Sequence, residues 1–111
     1  MPRTILIITA CIWALVGVTP AAADGDAKAG RQKAVQCQAC HGLDGQAKLP
    51  GAPNLAGQVD AYLVQALKDY RSGARKNEMM SVVARNLKDA DIDDLAAYFT
   101  AIPVTVGPPP R

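Results

Sequence analysis

Cys37-Gln38-Ala39-Cys40-His41 constrains this chain more than any other feature, and its histidine is the only one in 111 residues. Two thiols three residues apart, followed at once by histidine, form the attachment pattern for a c-type haem. On a helical turn Cys37 and Cys40 share one face, so each can form a thioether to a haem vinyl group. His41 is then carried beneath the ring, where an imidazole nitrogen can bind iron. Three other chemistries use similar residues. A thioredoxin-like pair needs a βαβ context, and no strand pattern is visible. A structural zinc site needs four ligands, more than the two Cys and one His beyond the apolar N-terminal run provide. A plain disulfide leaves His41 unexplained.

The N-terminus has a different character. Met1-Pro2-Arg3 is a short basic start, and 15 of the 19 residues from Ile5 to Ala23 are apolar. Ala21-Ala22-Ala23 supplies the small residues of a cleavage site, so residues 1–23 are expected to be a removed export signal. The apolar run is shorter than the roughly 20 residues a permanent span requires. A buried N-terminal helix is the competing reading, and Ile8-Thr9-Ala10-Cys11 faintly resembles a lipoprotein box. The order of basic start, apolar run and small residues favours the signal. Cleavage after Ala23 leaves 88 residues with 11 Lys+Arg and 10 Asp+Glu, a net charge of +1. Whole or cleaved, the chain lacks the dense basic stripe of a nucleic-acid binder.

The remaining domain is short of core material. Its aromatics are Tyr62, Tyr70, Tyr98 and Phe99, and chains of this size often need a metal, a disulfide or another staple. The spacing predicts helices. Asp26 reads as N-cap of a helix from Ala27 towards Cys37, and Asp60 as N-cap of Ala61–Arg71, with Gly73 as the stop. Met79 to Arg85 fits a short helix. Ile92, Leu95, Phe99 and Ile102 define one face of a last helix that Pro103 closes. Gly42 to Gly57 reads as a loop. The domain is expected over residues 24–103 as an all-α unit. Residues 104–111, with Pro108-Pro109-Pro110, are expected to be a flexible tail.

An electron-transfer haem keeps a second axial ligand, usually Met or His. No second His exists, and beyond the signal there are two methionines, Met79 and Met80. They follow the polar run Lys76-Asn77-Glu78 and do not lie on an apolar helical face. Adjacent residues cannot both point at one iron, and the residues alone do not choose between them.

Several further segments resemble the small bacterial class I c-type cytochromes, in particular one monohaem half of the dihaem members. They are Gly30, Cys37-Gln38-Ala39-Cys40-His41-Gly42, Asp44-Gly45, Pro53-Asn54-Leu55-Ala56-Gly57-Gln58, Tyr62-Leu63, Met79-Met80 and Leu95-Ala96-Ala97-Tyr98-Phe99. The resemblance implies the class I fold, three to five helices wrapped around one covalent haem c. It also implies Met80, seven residues before Leu87, as sixth ligand, with Met79 the alternative, and the Pro53 carbonyl as the group that orients His41. Gly30 would let the first helix approach Tyr98 and Phe99. Lys88 stands where such cytochromes place a helix-capping Ser, so Asp89 becomes a candidate cap. Tyr62 and Arg71 are candidates to hydrogen-bond the haem propionates.

With both axial positions filled, the group can only gain or lose an electron. The expected function is a soluble periplasmic one-electron carrier with His/Met-ligated haem c, and not an enzyme. The alternative is a haem c subunit of a periplasmic oxidoreductase, such as a flavocytochrome-type sulfide dehydrogenase. A third reading is a haem enzyme or gas-binding protein with an open iron. Expected partners are a donor complex or dehydrogenase and a terminal oxidase or reductase. Neither nucleic acid nor stable membrane insertion is expected, and the carrier is expected as a monomer or weak dimer. Asp60 to Lys88 hold six Lys/Arg and three acids, whereas Asp89 to Asp94 hold four acids and no base. Such asymmetry could orient docking.

Overall fold

A computed structural model describes residues 25–110, so the expected signal at 1–23 lies outside the described residues. The elements are α1 (Ala27–Lys33), a 3-10 turn (Ala34–Cys37), α2 (Gln38–His41), α3 (Asp60–Ser72), α4 (Met80–Ala84) and α5 (Asp89–Ala101). Among the described residues there is no strand, so the fold is all-α and the βαβ context of a thioredoxin-like pair is missing. No helix among them is long and apolar enough to cross a membrane.

Caps explain some of the helix boundaries. The Asp26 carboxylate accepts the N–H groups of Lys28 (2.8 Å) and Ala29 (3.3 Å), so α1 starts where expected. It tightens into the 3-10 turn before reaching the cysteines. Asp60 is not the cap of α3 but its first residue; Val59 holds the cap position without a side-chain bond. The carboxylate at Asp60 still favours the positive end of the helix dipole. Gly73, at φ +86°, closes α3 in the left-handed conformation, its N–H bonded to the Asp69 carbonyl.

Lys88, rather than Asp89, occupies the cap position of α5. A lysine has no acceptor to offer, so only the return half of a capping box forms: the Asp91 carboxylate accepts the Lys88 N–H at 2.9 Å. At the other end Ile102 has left the helix, at φ −71° and ψ 120°, the extended geometry favoured before Pro103. The expected buried face therefore ends at Phe99. Residues 103–110 form neither helix nor strand.

Helices α1 and α5 cross at Gly30. A Cβ there would lie 1.9 Å from the Asp94 carbonyl oxygen and 2.8 Å from the Tyr98 Cβ, so only glycine permits the approach. The contact expected with Tyr98 and Phe99 is thus made with Asp94 and Tyr98. Lys33 fastens the crossing, its Nζ lying 2.8 Å from Asp91 and 2.6 Å from Asp94. The other Asp94 oxygen accepts the Asp26 N–H at 2.7 Å. Much of the acidic run that could have oriented docking is therefore engaged inside the molecule; Asp89 also pairs with Arg71 at 2.6 Å.

The buried apolar core is small: Ala34, Leu63, Ala84, Leu87, Ile92, Leu95, Ala96 and Phe99. Among the described residues, Ile92 and Leu95 are the largest side chains below 2% exposure. Ile92 is completely buried in that core. Leu63, Leu87, Leu95, Ala96 and Phe99 instead line a cavity.

Candidate functional site

The cavity has a volume of about 720 Å³, within the roughly 300–1,000 Å³ common for cofactor sites. Cys37, Cys40 and His41 come to it from the 3-10 turn and α2, and Leu63 and Leu67 from α3. Met79 and Met80 reach it from the start of α4, and Leu95 and Phe99 from α5. Residues far apart in sequence thus meet on one mostly apolar surface.

His41 is the buried polar residue among those described, with 6% exposure. Its Nδ1 lies 2.9 Å from the Pro53 carbonyl oxygen. A carbonyl can only accept, so Nδ1 carries the proton and Nε2 retains its lone pair. With one ring nitrogen engaged and the ring on the cavity wall, Nε2 is the atom left for iron. This is the usual arrangement of a metal-bound histidine, whose outer N–H bond fixes both tautomer and orientation.

The loop that brings Pro53 beneath His41 is held at several points. Gly42 has φ +71° and ψ 148°, a region open almost only to glycine. A Cβ there would meet the Asp44 Oδ1 at 2.3 Å and the Gln46 carbonyl oxygen at 2.6 Å. The Lys48 N–H donates to the Cys40 carbonyl (2.8 Å), and the Ala47 N–H to the Asn54 side-chain oxygen (2.7 Å). From α5, the Tyr98 hydroxyl donates to the Leu43 carbonyl, and the Phe99 carbonyl accepts the Gly57 N–H.

Cys37 and Cys40 are not bonded to each other. Burial, with the neighbouring Cys40 as a smaller cause, pushes the Cys37 thiol up to about 11. A redox-active pair depends on a lowered thiol pKa, the opposite arrangement. Among the described residues no three His, Cys, Asp or Glu side chains cluster as a metal site, so the zinc alternative has no set of ligands. The thiols, a lone-pair nitrogen and two thioethers on one apolar cavity fit a covalently attached haem.

The propionate candidates fare differently. Tyr62 lines the cavity, but Arg71 does not. Its guanidinium is bonded to the Leu87 carbonyl (2.9 Å) and to Asp89 (2.6 Å), tying α3 to the start of α5. Arg75 stands on the cavity wall instead. It donates to the Tyr62 hydroxyl at 3.3 Å and lies 4.7 Å above the Tyr70 ring, so it replaces Arg71 as the cationic candidate. Arg75 follows the Gly73 stop, and no helical periodicity reaches past that glycine to point to it.

Fold and site together define a small all-α protein built around one covalently held haem. A sequence profile of the family "Cytochrome c" matches residues 27–102, and the chain belongs to that family, whose cofactor is haem c. It is 44% identical over 93 residues to cytochrome c4 of Pseudomonas aeruginosa, covering 84% of this chain and 45% of that protein. It is 48% identical over 80 residues to cytochrome c-554(548) of Halomonas halodenitrificans, covering 69% and 96% respectively. The crystal structure of reduced cytochrome c4 from Pseudomonas stutzeri superposes with a TM-score of 0.68 at 40% identity, covering 75% of this chain and 48% of that one. The chain spans about half the length of the cytochrome c4 relatives it matches.

Proposed function

We propose that this chain is a periplasmic one-electron carrier and not an enzyme, with Cys37 and Cys40 as haem thioethers and His41 and Met80 as axial ligands. The observation that carries the reading is the His41 ring. Its Nδ1 is committed to Pro53, and the cavity that holds the rest of the ring also holds both thiols and both methionines. Haem iron, when bound, supplies a one-electron couple.

The chain's own residues define how that couple would be used. Pro53 keeps the imidazole in one tautomer and raises its basicity. Met80, as the second residue holding the iron, would close it to substrate and favour the reduced state. The apolar wall of Leu63, Leu87, Leu95 and Phe99 excludes water, which disfavours the more highly charged oxidised centre. Tyr62 and Arg75 stand ready to receive the propionates. Residues 1–23 direct export, and the donor and acceptor are redox proteins of the same compartment, a dehydrogenase or donor complex on one side and a terminal oxidase or reductase on the other.

Acid–acetone extraction tests attachment: the haem absorbance stays with the polypeptide, and its release would overturn the thioether assignment. Carbon monoxide tests closure. The ferrous protein binds it slowly and incompletely at neutral pH, because sulfur must first leave. Rapid stoichiometric binding would replace the carrier with the open-iron reading.

A further inference from the structure

The turn ahead of α4 is built around one asparagine. The Asn77 side-chain oxygen accepts the N–H groups of Met79 and Met80, each at 3.0 Å. In return the Asn77 N–H donates to the Ser81 hydroxyl, and the Ser81 N–H to the Asn77 carbonyl, both at 3.0 Å. Acceptance from the second and third following residues is the geometry of an N-cap side chain, so the turn is locked three residues before the formal start of α4.

That lock decides which sulfur faces inward. Successive helical side chains differ by about 100° around the axis, so one register cannot present both methionines to the cavity centre. Met79 is 63% exposed, while Met80 is partly buried. Slipping the turn by one residue would exchange them, and would break both bonds to the Asn77 oxygen. Asn77 itself stands on the cavity wall beside them.

We propose that Asn77 is a positioning residue that holds Met80, and not Met79, towards the haem iron. The proposal rests on Met80 being the axial ligand. Its role is to keep the closed form populated, since any opening of the Met80–iron bond competes with the cap.

Imidazole titration of the ferric holoprotein, followed by loss of the far-red sulfur-to-iron band, tests this. Imidazole must displace the sulfur, so its apparent affinity scales with the fraction of iron already open. Asn77→Ala is expected to tighten imidazole binding about fivefold, the equilibrium weight of one lost cap. Asn77→Ser, which restores an acceptor, returns the affinity to that of the parent. Ser81→Ala loosens the return bond alone and gives a smaller shift in the same direction, readable even if Asn77→Ala folds poorly. Asp26→Ala loses a cap of the same kind on α1, which does not line the cavity; it lowers the melting temperature and leaves imidazole affinity unchanged. Parental affinity in both Asn77→Ala and Ser81→Ala, or equal tightening by Asp26→Ala, would overturn the positioning role. Met80→Ala separates the two levels: it loses the band outright if Met80 is the ligand, and a band that survives rejects the ligand assignment itself.

Discussion

The α1–α5 crossing and the cavity wall opposite it are built on different principles. At the crossing the polypeptide meets itself. Gly30 admits the Asp94 backbone, and Lys33 spans Asp91 and Asp94. On the wall, Leu63, Leu87, Leu95 and Phe99 turn towards a space of about 720 Å³ that no side chain fills. One region is complete as protein, and the other is half of an interface whose second half is the cofactor. A chain this short can therefore be ordered without a large core, provided the ring supplies the missing apolar surface.

The largest expected effect comes from abolishing attachment. Replacing both Cys37 and Cys40 with Ser should leave little holoprotein, and circular dichroism of the product should show most of its helix lost. Hydrogen exchange would then locate what remains, with any residual protection at the α1–α5 crossing. A fully helical, cooperatively melting apoprotein would erase the contrast between the two regions.

Striking the crossing itself comes next. Gly30→Val places side-chain carbons where backbone already lies, and should cost about 3 kcal/mol of holoprotein stability, the upper end for overpacking. The haem spectrum should persist until the protein melts. A spectrum lost before any loss of stability would mean that the crossing and the cavity are one unit.

Met80→Ala acts on the wall alone. It should remove the far-red band and lower the reduction potential, with a melting loss of about 2 kcal/mol for the partly buried thioether. Met79→Ala, truncating a side chain 63% exposed, should leave all three nearly unchanged. The reverse pattern would exchange the two assignments.

The smallest effect is electrostatic and confined to the crossing. The hydrogen bond from Lys33, then the N–H of Lys88, holds the Asp91 carboxyl below its usual 3.8; Lys33, then the Asp26 N–H, does the same for Asp94. Those bonds, Asp91 first, raise the Lys33 ammonium above 10.5. Carboxylates with lowered folded pKa stabilise fully above pH 3.8 and lose that contribution as pH falls through the folded value. An ammonium with a raised pKa stabilises fully below pH 10.5 and loses that contribution as pH rises through its folded value. The melting-temperature gap between the parent and Lys33→Met should therefore be flat from about pH 5 to 9. It should shrink at both extremes. A gap independent of pH would assign Lys33 a packing role only.

Sequence reasoning reached the site further than it reached the details that tune it. The pentapeptide is local chemistry, legible because thioether attachment dictates its spacing. The Pro53 carbonyl, found 2.9 Å from the imidazole, and Met80 as the proposed ligand both came from resemblance, since nothing in spacing alone brings a residue 12 positions away beneath an imidazole. Arg71 and Arg75 show where periodicity stops. At four residues apart they would share a helical face, but Gly73 ends α3 between them and sends Arg75 to the cavity, leaving Arg71 on α5. Asp60 was displaced by one residue because extended Val59 can precede a helix without a side-chain bond. Asn77 escaped notice because it stands two residues ahead of the expected helix start at Met79, in the polar run Lys76-Asn77-Glu78, where nothing in the spacing marks a cap.

Gly42 sets the size of the part that could be moved to another protein. Five residues grafted onto a host helix would carry the two sulfurs and the imidazole, but that host would continue helically where this chain turns away at φ +71°. Without that reversal no carbonyl returns to Nδ1, and the imidazole is free to rotate or to present the wrong tautomer. The smallest transplantable haem-binding cassette is therefore Cys37 to Pro53, with the glycine and the closing bond from Lys48 to Cys40 included.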